Sequence, residues 1–170
     1  MIAFMDIKSY TKKLTFKVID DLETAKASWE YFSPQGEIDD DWDFRYAFYK
    51  YLKFPLHFIV GYDGAKPVGL LPLQLNTGKG PTPDSYGFKK NFLEFFGGDD
   101  MDSNKVFVKE GYEFTVPQFL QQIHDQSVLA PLAEEYKINN FQAQAFTTKY
   151  VADLKEMTEF RDFTTKFFDG

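Results

Sequence analysis

The side chains able to do chemistry are few, and their spacing narrows them further. Glu94 lies within Asn91-Phe92-Leu93-Glu94-Phe95-Phe96. A carboxylate held there, if buried, is a candidate general base that takes a proton from an amine through water. The alternation of that segment argues instead for Glu94 on an exposed strand face. Tyr86 and Tyr112 are candidate general acids, drawn from ten tyrosines. Trp42 and Tyr46, close together in an aromatic run, are candidates to line a substrate cleft, against core packing as the usual role of large aromatics. His57 and His124 are the only histidines. Neither has a partner at metal-ligand or triad spacing, so both are assigned structural roles. Asp100, Asp102 and Asn104 alternate like the first ligands of a calcium loop. The sixth position of such a loop is Lys105 instead of Gly, and the twelfth is Gly111 instead of Glu, so a solvated turn is expected and no metal site. Cysteine is absent, which removes disulfides, thiolate ligands and a thiol nucleophile.

The elements that must position these groups follow from periodicity and punctuation. Leu14–Ile19 alternates as a half-buried strand. Asp20-Asp21 offers an N-cap to a helix with Leu22, Ala25, Trp29 and Phe32 on one face, ended by Ser33-Pro34-Gln35-Gly36. A second helix opens at Asp39-Asp40-Asp41 and runs to about Leu52; its acids suit the positive end of the helix dipole. It is aromatic almost all round, which predicts a buried helix or one facing a cleft. Leu56–Tyr62 and Val68–Leu75 read as strands joined by a hairpin at Asp63-Gly64. Pro72 donates no ladder bond, which predicts an edge or a bulge there. A long Gly/Pro/Lys loop over 76–90 leads to the Glu94 strand, then a turn and a short strand at Val106–Val108. Helices are expected at Val116–Ile123 and Val128–Tyr136, joined near Ala130-Pro131. A strand at Asn140–Phe146 and a last helix over Tyr150–Phe168 complete the pattern.

The chain has 170 residues, of which 44% are apolar and 26% charged, the composition of one globular domain. Aromatic residues reach 19%, enough for a bulky core or a lined cleft. The net charge of −7, with no basic patch, argues against nucleic acid and against anionic membrane surfaces as partners. No stretch approaches the length of a membrane span. The first five residues are too short a run for a signal-peptide core, and with the lack of cysteine this points to a cytoplasmic protein.

The order strand, two helices, hairpin, strand, helix, strand resembles the GNAT acyltransferase fold. The hairpin carries the likeness in Phe58-Ile59-Val60-Gly61-Tyr62-Asp63-Gly64 and Pro67-Val68-Gly69-Leu70-Leu71-Pro72-Leu73. Three marks are similar to the N-terminal half of double-domain GNAT-like proteins, relatives of the cellulose-biosynthesis acetyltransferases and the Fem-type aminoacyltransferases. They are Trp42 on the second helix, Leu70-Leu71-Pro72-Leu73, and Leu93-Glu94-Phe95-Phe96-Gly97 followed by Asp102. The resemblance implies an α/β domain of GNAT-like fold, with a central mixed sheet, a β-hairpin and helices on both faces. It places residues 1–13 as an N-terminal extension and 14–170 as one domain, the first half of a longer protein. It also implies Asp102, Trp42 and Tyr46 on the acceptor side of a cleft.

One departure from the family pattern is plain. A catalytic GNAT domain follows its fourth strand with a Gly-rich loop whose N–H groups hold the coenzyme A pyrophosphate. Here Gly97-Gly98 is followed by Asp99-Asp100-Met101-Asp102, which puts acids where phosphates would sit. The expectation is therefore no cofactor on this chain, with acyl-CoA bound by a second half, a second GNAT-like half or a protein partner docking through the last helix, and a small amine as acceptor. The alternative is a non-catalytic GNAT-like interaction module.

Overall fold

The computed structural model describes residues 12–77, 91–98, 101, 104–112 and 115–137. The expected strand at 140–146 and helix at 150–168, with the docking surface placed on it, lie outside these residues. Along the chain come β1 (Thr15–Ile19), α1 (Leu22–Phe32), a single 3-10 turn (Ile38–Asp40), α2 (Trp42–Leu52), β2 (Leu56–Asp63), β3 (Lys66–Asn76), β4 (Phe92–Phe95), β5 (Phe107–Val108), α3 (Val116–Asp125) and α4 (Ala130–Tyr136). This is an α/β domain with one five-stranded sheet in the order β1-β2-β3-β4, and β5 also pairs with β3. Every described pairing is antiparallel, where a mixed sheet was expected.

Local chemistry sets the boundaries. Asp21 accepts the Thr24 N–H at 2.8 Å and so caps α1. Asp41 does the same for α2 through Phe44 N–H, and Lys53 ends that helix in the left-handed conformation. Asp39 and Asp40, expected in the first turn of α2, belong to the 3-10 turn and are buried. Thr115 and Gln118 form a reciprocal capping box at the start of α3. The helices α3 and α4 are separated by a turn over 126–129 in which Ser127 has φ 52°, and Pro131 sits in the first turn of α4, where its missing N–H costs no helix bond. The hairpin turns on Gly64-Ala65, one residue later than expected: Asp63 pairs with Lys66, and Gly64 supplies the φ of +61°.

Both faces of the sheet are covered. Strand alternation sends Phe58, Val60 and Leu70 towards α1 and α2, where they meet Ala25, Trp29, Phe32 and Trp42. Ile59, Leu71, Leu73 and Leu75 face α3 and α4 and meet Phe119, Leu120, Ile123, Leu129 and Leu132. The first face is a cluster of rings. Trp29 makes edge contacts with Phe96 and Phe107 at 5.9 and 5.2 Å, and Trp42 stacks on Phe96 at 4.9 Å. Such pairs contribute about 0.5–1.5 kcal/mol each beyond the area they bury.

The second face is seated through a glycine pair. Gly61 lies opposite Gly69, and the Phe119 ring rests on both. The bulge of the hairpin is here: Gly61 pairs with Gly69 and Tyr62 with Pro67, so Val68 is the extra residue. At its other end, α3 holds the lead-in to β1. Gln122 accepts the Leu14 N–H at 2.8 Å and donates to the Lys12 carbonyl, while Gln126 donates to the Leu14 carbonyl. Lys12, assigned from sequence to an extension, is thus already tied to the domain.

Candidate functional site: the break between β4 and β5

Two short strands share one side of β3. β4 pairs with Leu73–Asn76 and β5 with Gly69–Leu70, leaving a break between them. Pro72 faces that break. Its carbonyl accepts the Phe96 N–H at 3.0 Å, so its nitrogen points the same way and has no hydrogen to leave unpaired. Pro72 is therefore neither at an edge nor at a bulge; it lies mid-strand, opposite the point where β4 departs. Gly97 and Gly98 make the departure, with φ of +97° and +82°, conformations that L side chains resist.

Two buried polar networks frame the break. The first centres on Glu94, which is 4% exposed. Gln74, directly opposite on β3, donates to Glu94 Oε1 at 2.7 Å, and Asn76 donates to the same oxygen at 3.3 Å. Gln74 Oε1 accepts the Gly97 N–H at 3.2 Å, so one side-chain amide links the glycine turn to the carboxylate. The second network centres on Arg45 of α2. Its Nη1 donates to the Phe96 carbonyl and to Asn104 Oδ1, and its Nε donates to the Asp39 carbonyl. Asn104 in turn donates to the Gly98 carbonyl. Burial lowers the Arg45 pKa to about 10, opposed by the nearby Asp39 and then Asp40, so the guanidinium stays charged at neutral pH. Lys105 pairs with Asp40 at 2.7 Å and with Glu37 at 3.5 Å, closing the outer side.

The predicted residues fall in different places. Glu94 is buried and hydrogen-bonded; the exposed face expected from alternation does not exist, because helices cover both sides of the sheet. Glu94 lies on the α1/α2 face with Phe96. Tyr112 packs against the opposite face, beneath Lys66 Nζ at 5.1 Å from its ring, so the sheet separates it from Glu94. Trp42 is buried among rings. Tyr46 is half-buried and stacks on Trp42 at 6.2 Å and on Tyr49 at 5.9 Å. Of α2, only Trp42 and Arg45 are buried, and Tyr51 is 67% exposed, so of the two expectations, a buried helix or one facing a cleft, the first does not hold. Tyr86 and Asp102 lie outside the described residues. Asn104, third in the calcium-like spacing, has its side chain engaged by Arg45 and Gly98. His124 sits beside Asp125 at 3.1 Å on an exposed part of α3. No group of three metal-ligating side chains occurs among the described residues.

Sequence reasoning missed Arg45 and Gln74, and it placed Asn104 in a solvated turn where the structure buries it. The signal for Gln74 was available: it is the one amide in the apolar run Val68–Leu75. A polar residue in a strand covered on both faces has to find a buried partner.

Compared with family models, with curated proteins and with solved structures, the chain finds no match. No described helix is long and apolar enough to cross a membrane.

Proposed function

We propose that this chain is the acceptor-side, N-terminal GNAT-like half of an acyl-CoA-dependent N-acyltransferase. The observation that supports this most is the buried Glu94 beside the strand break, set within the order strand, two helices, antiparallel hairpin, antiparallel strand. A carboxylate is an acceptor only, and two amide N–H groups orient this one. Held so, it attracts the ammonium group of a small amine or amino sugar and takes one of its protons before attack; the N–C bond then forms as the thioester C–S bond breaks, and the departing thiolate takes up the second proton lost by the nitrogen. The acyl-CoA comes from a second half. The acids that follow Gly98 in the sequence, and Arg45 already engaged with the Phe96 carbonyl, support a donor site other than this turn.

The second reading is a non-catalytic interaction module of the same fold. It is favoured by Arg45, which takes up the backbone carbonyl at the break for structural purposes. Calorimetric titration of the chain with acetyl-CoA and with glucosamine separates the readings. The acceptor-side reading expects no micromolar binding of acetyl-CoA and a glucosamine response that disappears in Glu94→Gln. Micromolar acetyl-CoA binding overturns the half-enzyme assignment. A flat glucosamine titration in the wild type favours the module.

A further inference from the structure

We propose that His57 and Tyr136 form an acid-sensitive latch that holds α4 against the sheet. His57 lies on β2, opposite Leu73 of β3, and faces the α3/α4 side. It is 7% exposed, and its buried Nε2 has no hydrogen-bond partner among the described residues. Its ring lies 5.8 Å from that of Tyr136, the last residue of α4. Asn91 donates to the Tyr136 carbonyl at 3.1 Å, which fixes the end of the helix over the imidazole.

The charged and titratable groups facing His57 are Asp20, from the connection between β1 and α1, and Glu135 and Tyr136, from α4. β3 presents the apolar Leu73. Burial lowers the His57 pKa, and the attraction of Asp20 and Glu135 does not restore it. Burial, and secondarily Glu135, raises the Tyr136 pKa, so the phenol is neutral throughout the acid range.

A neutral imidazole with one idle nitrogen costs little beside a buried imidazolium with no acceptor for its second N–H. The element in the way is also weakly held. α4 has seven residues and buries one of its side chains, Leu132. Lifting it lets water reach the ring, and short, lightly packed elements are those that open locally.

The sign follows from linkage. The open form binds the proton with an ordinary histidine pKa near 6.5, and the closed form binds it less readily. The latch is fully effective above about pH 6.5 and weakens as pH falls through that value towards the closed-form pKa. Across that window each pH unit shifts the balance towards the open form by up to about tenfold.

Amide hydrogen exchange of the intact chain between pH 7.5 and 5.0, corrected for the intrinsic pH dependence of exchange, tests this, with the His57 imidazole followed by NMR. The expected result is a loss of α4 protection that tracks the His57 titration and leaves α1 unchanged. The loss should vanish in His57→Phe, which keeps an aromatic ring but cannot titrate. Equal loss in both proteins, equal loss in α1 and α4, or unchanged α4 protection below the His57 titration overturns the latch. If His57→Phe does not fold, the wild-type comparison of α4 with α1 decides alone.

Discussion

The contact of Phe119 with Gly61 and Gly69 gives the sharpest test of how the sheet is covered. In Gly69→Ala the new methyl would sit 2.5 Å from Phe119 Cε2 and 2.8 Å from both Cδ2 and Cζ. Carbon atoms in contact normally stand about 3.5–4.0 Å apart, so the ring must retreat by about 1 Å or the strand must yield. Phe119 is fully buried, so its retreat disturbs α3 as a unit. Overpacking of this kind costs about 1–3 kcal/mol. An opposing effect exists: glycine inside a strand is worse than alanine by about 0.5–1 kcal/mol. Sterics should win, with a net loss of about 1–2 kcal/mol in urea unfolding followed by Trp fluorescence. For a chain of this length each kcal/mol lowers Tm by roughly 2–4 °C. A double-mutant cycle with Phe119→Leu then isolates the contact. Leucine leaves room for the methyl, so the Gly69→Ala penalty should shrink by about 1 kcal/mol in that background. A Gly69→Ala protein as stable as wild type, or a penalty unaffected by Phe119→Leu, would refute the seating of α3 on the glycine pair.

Two further outcomes follow from the buried networks. Arg45→Met keeps an unbranched apolar stem but leaves the Asp39 and Phe96 carbonyls and Asn104 Oδ1 without the guanidinium donor; unfolding in urea should show a loss of about 3–5 kcal/mol, and a loss under 1 kcal/mol would mean the guanidinium is not the centre of that network. Gln122→Ala removes two hydrogen bonds to residues 12 and 14 and should cost about 1–2 kcal/mol, with faster exchange at the Leu14 amide than at the amides of β2.

Much of the scaffold is legible in the sequence because the informative residues act locally. Asp21 caps its own helix, Leu22, Ala25, Trp29 and Phe32 mark one face, and the Gly64 turn announces the hairpin. The polar site is not legible in the same way. Alternation tells which residues share a face but not whether that face is covered, so Glu94 reads as exposed until helices are known to lie on both sides. The aromatic run of α2 misleads for a related reason. Its rings suggest burial or a cleft, yet only one of them, Trp42, is buried, and the other side chain turned inward is Arg45, held by carbonyls from residues 39 and 96. One lies just outside the helix and the other 51 residues away, and no periodicity records either. Pro72 misleads because its meaning depends on what the neighbouring strand does, and that strand happens to leave where the proline has no hydrogen to offer.

The division of the strand beside β3 into β4 and β5 has a consequence for how this domain can change. Each piece keeps its own register with β3, so neither depends on the number of residues between them. Extra chain inserted between Gly98 and Asn104 would lengthen the excursion without sliding either ladder, and the entropy of closing a longer loop rises only slowly with length. This junction lies beside the buried carboxylate, where added length could reshape specificity while both ladders keep their registers.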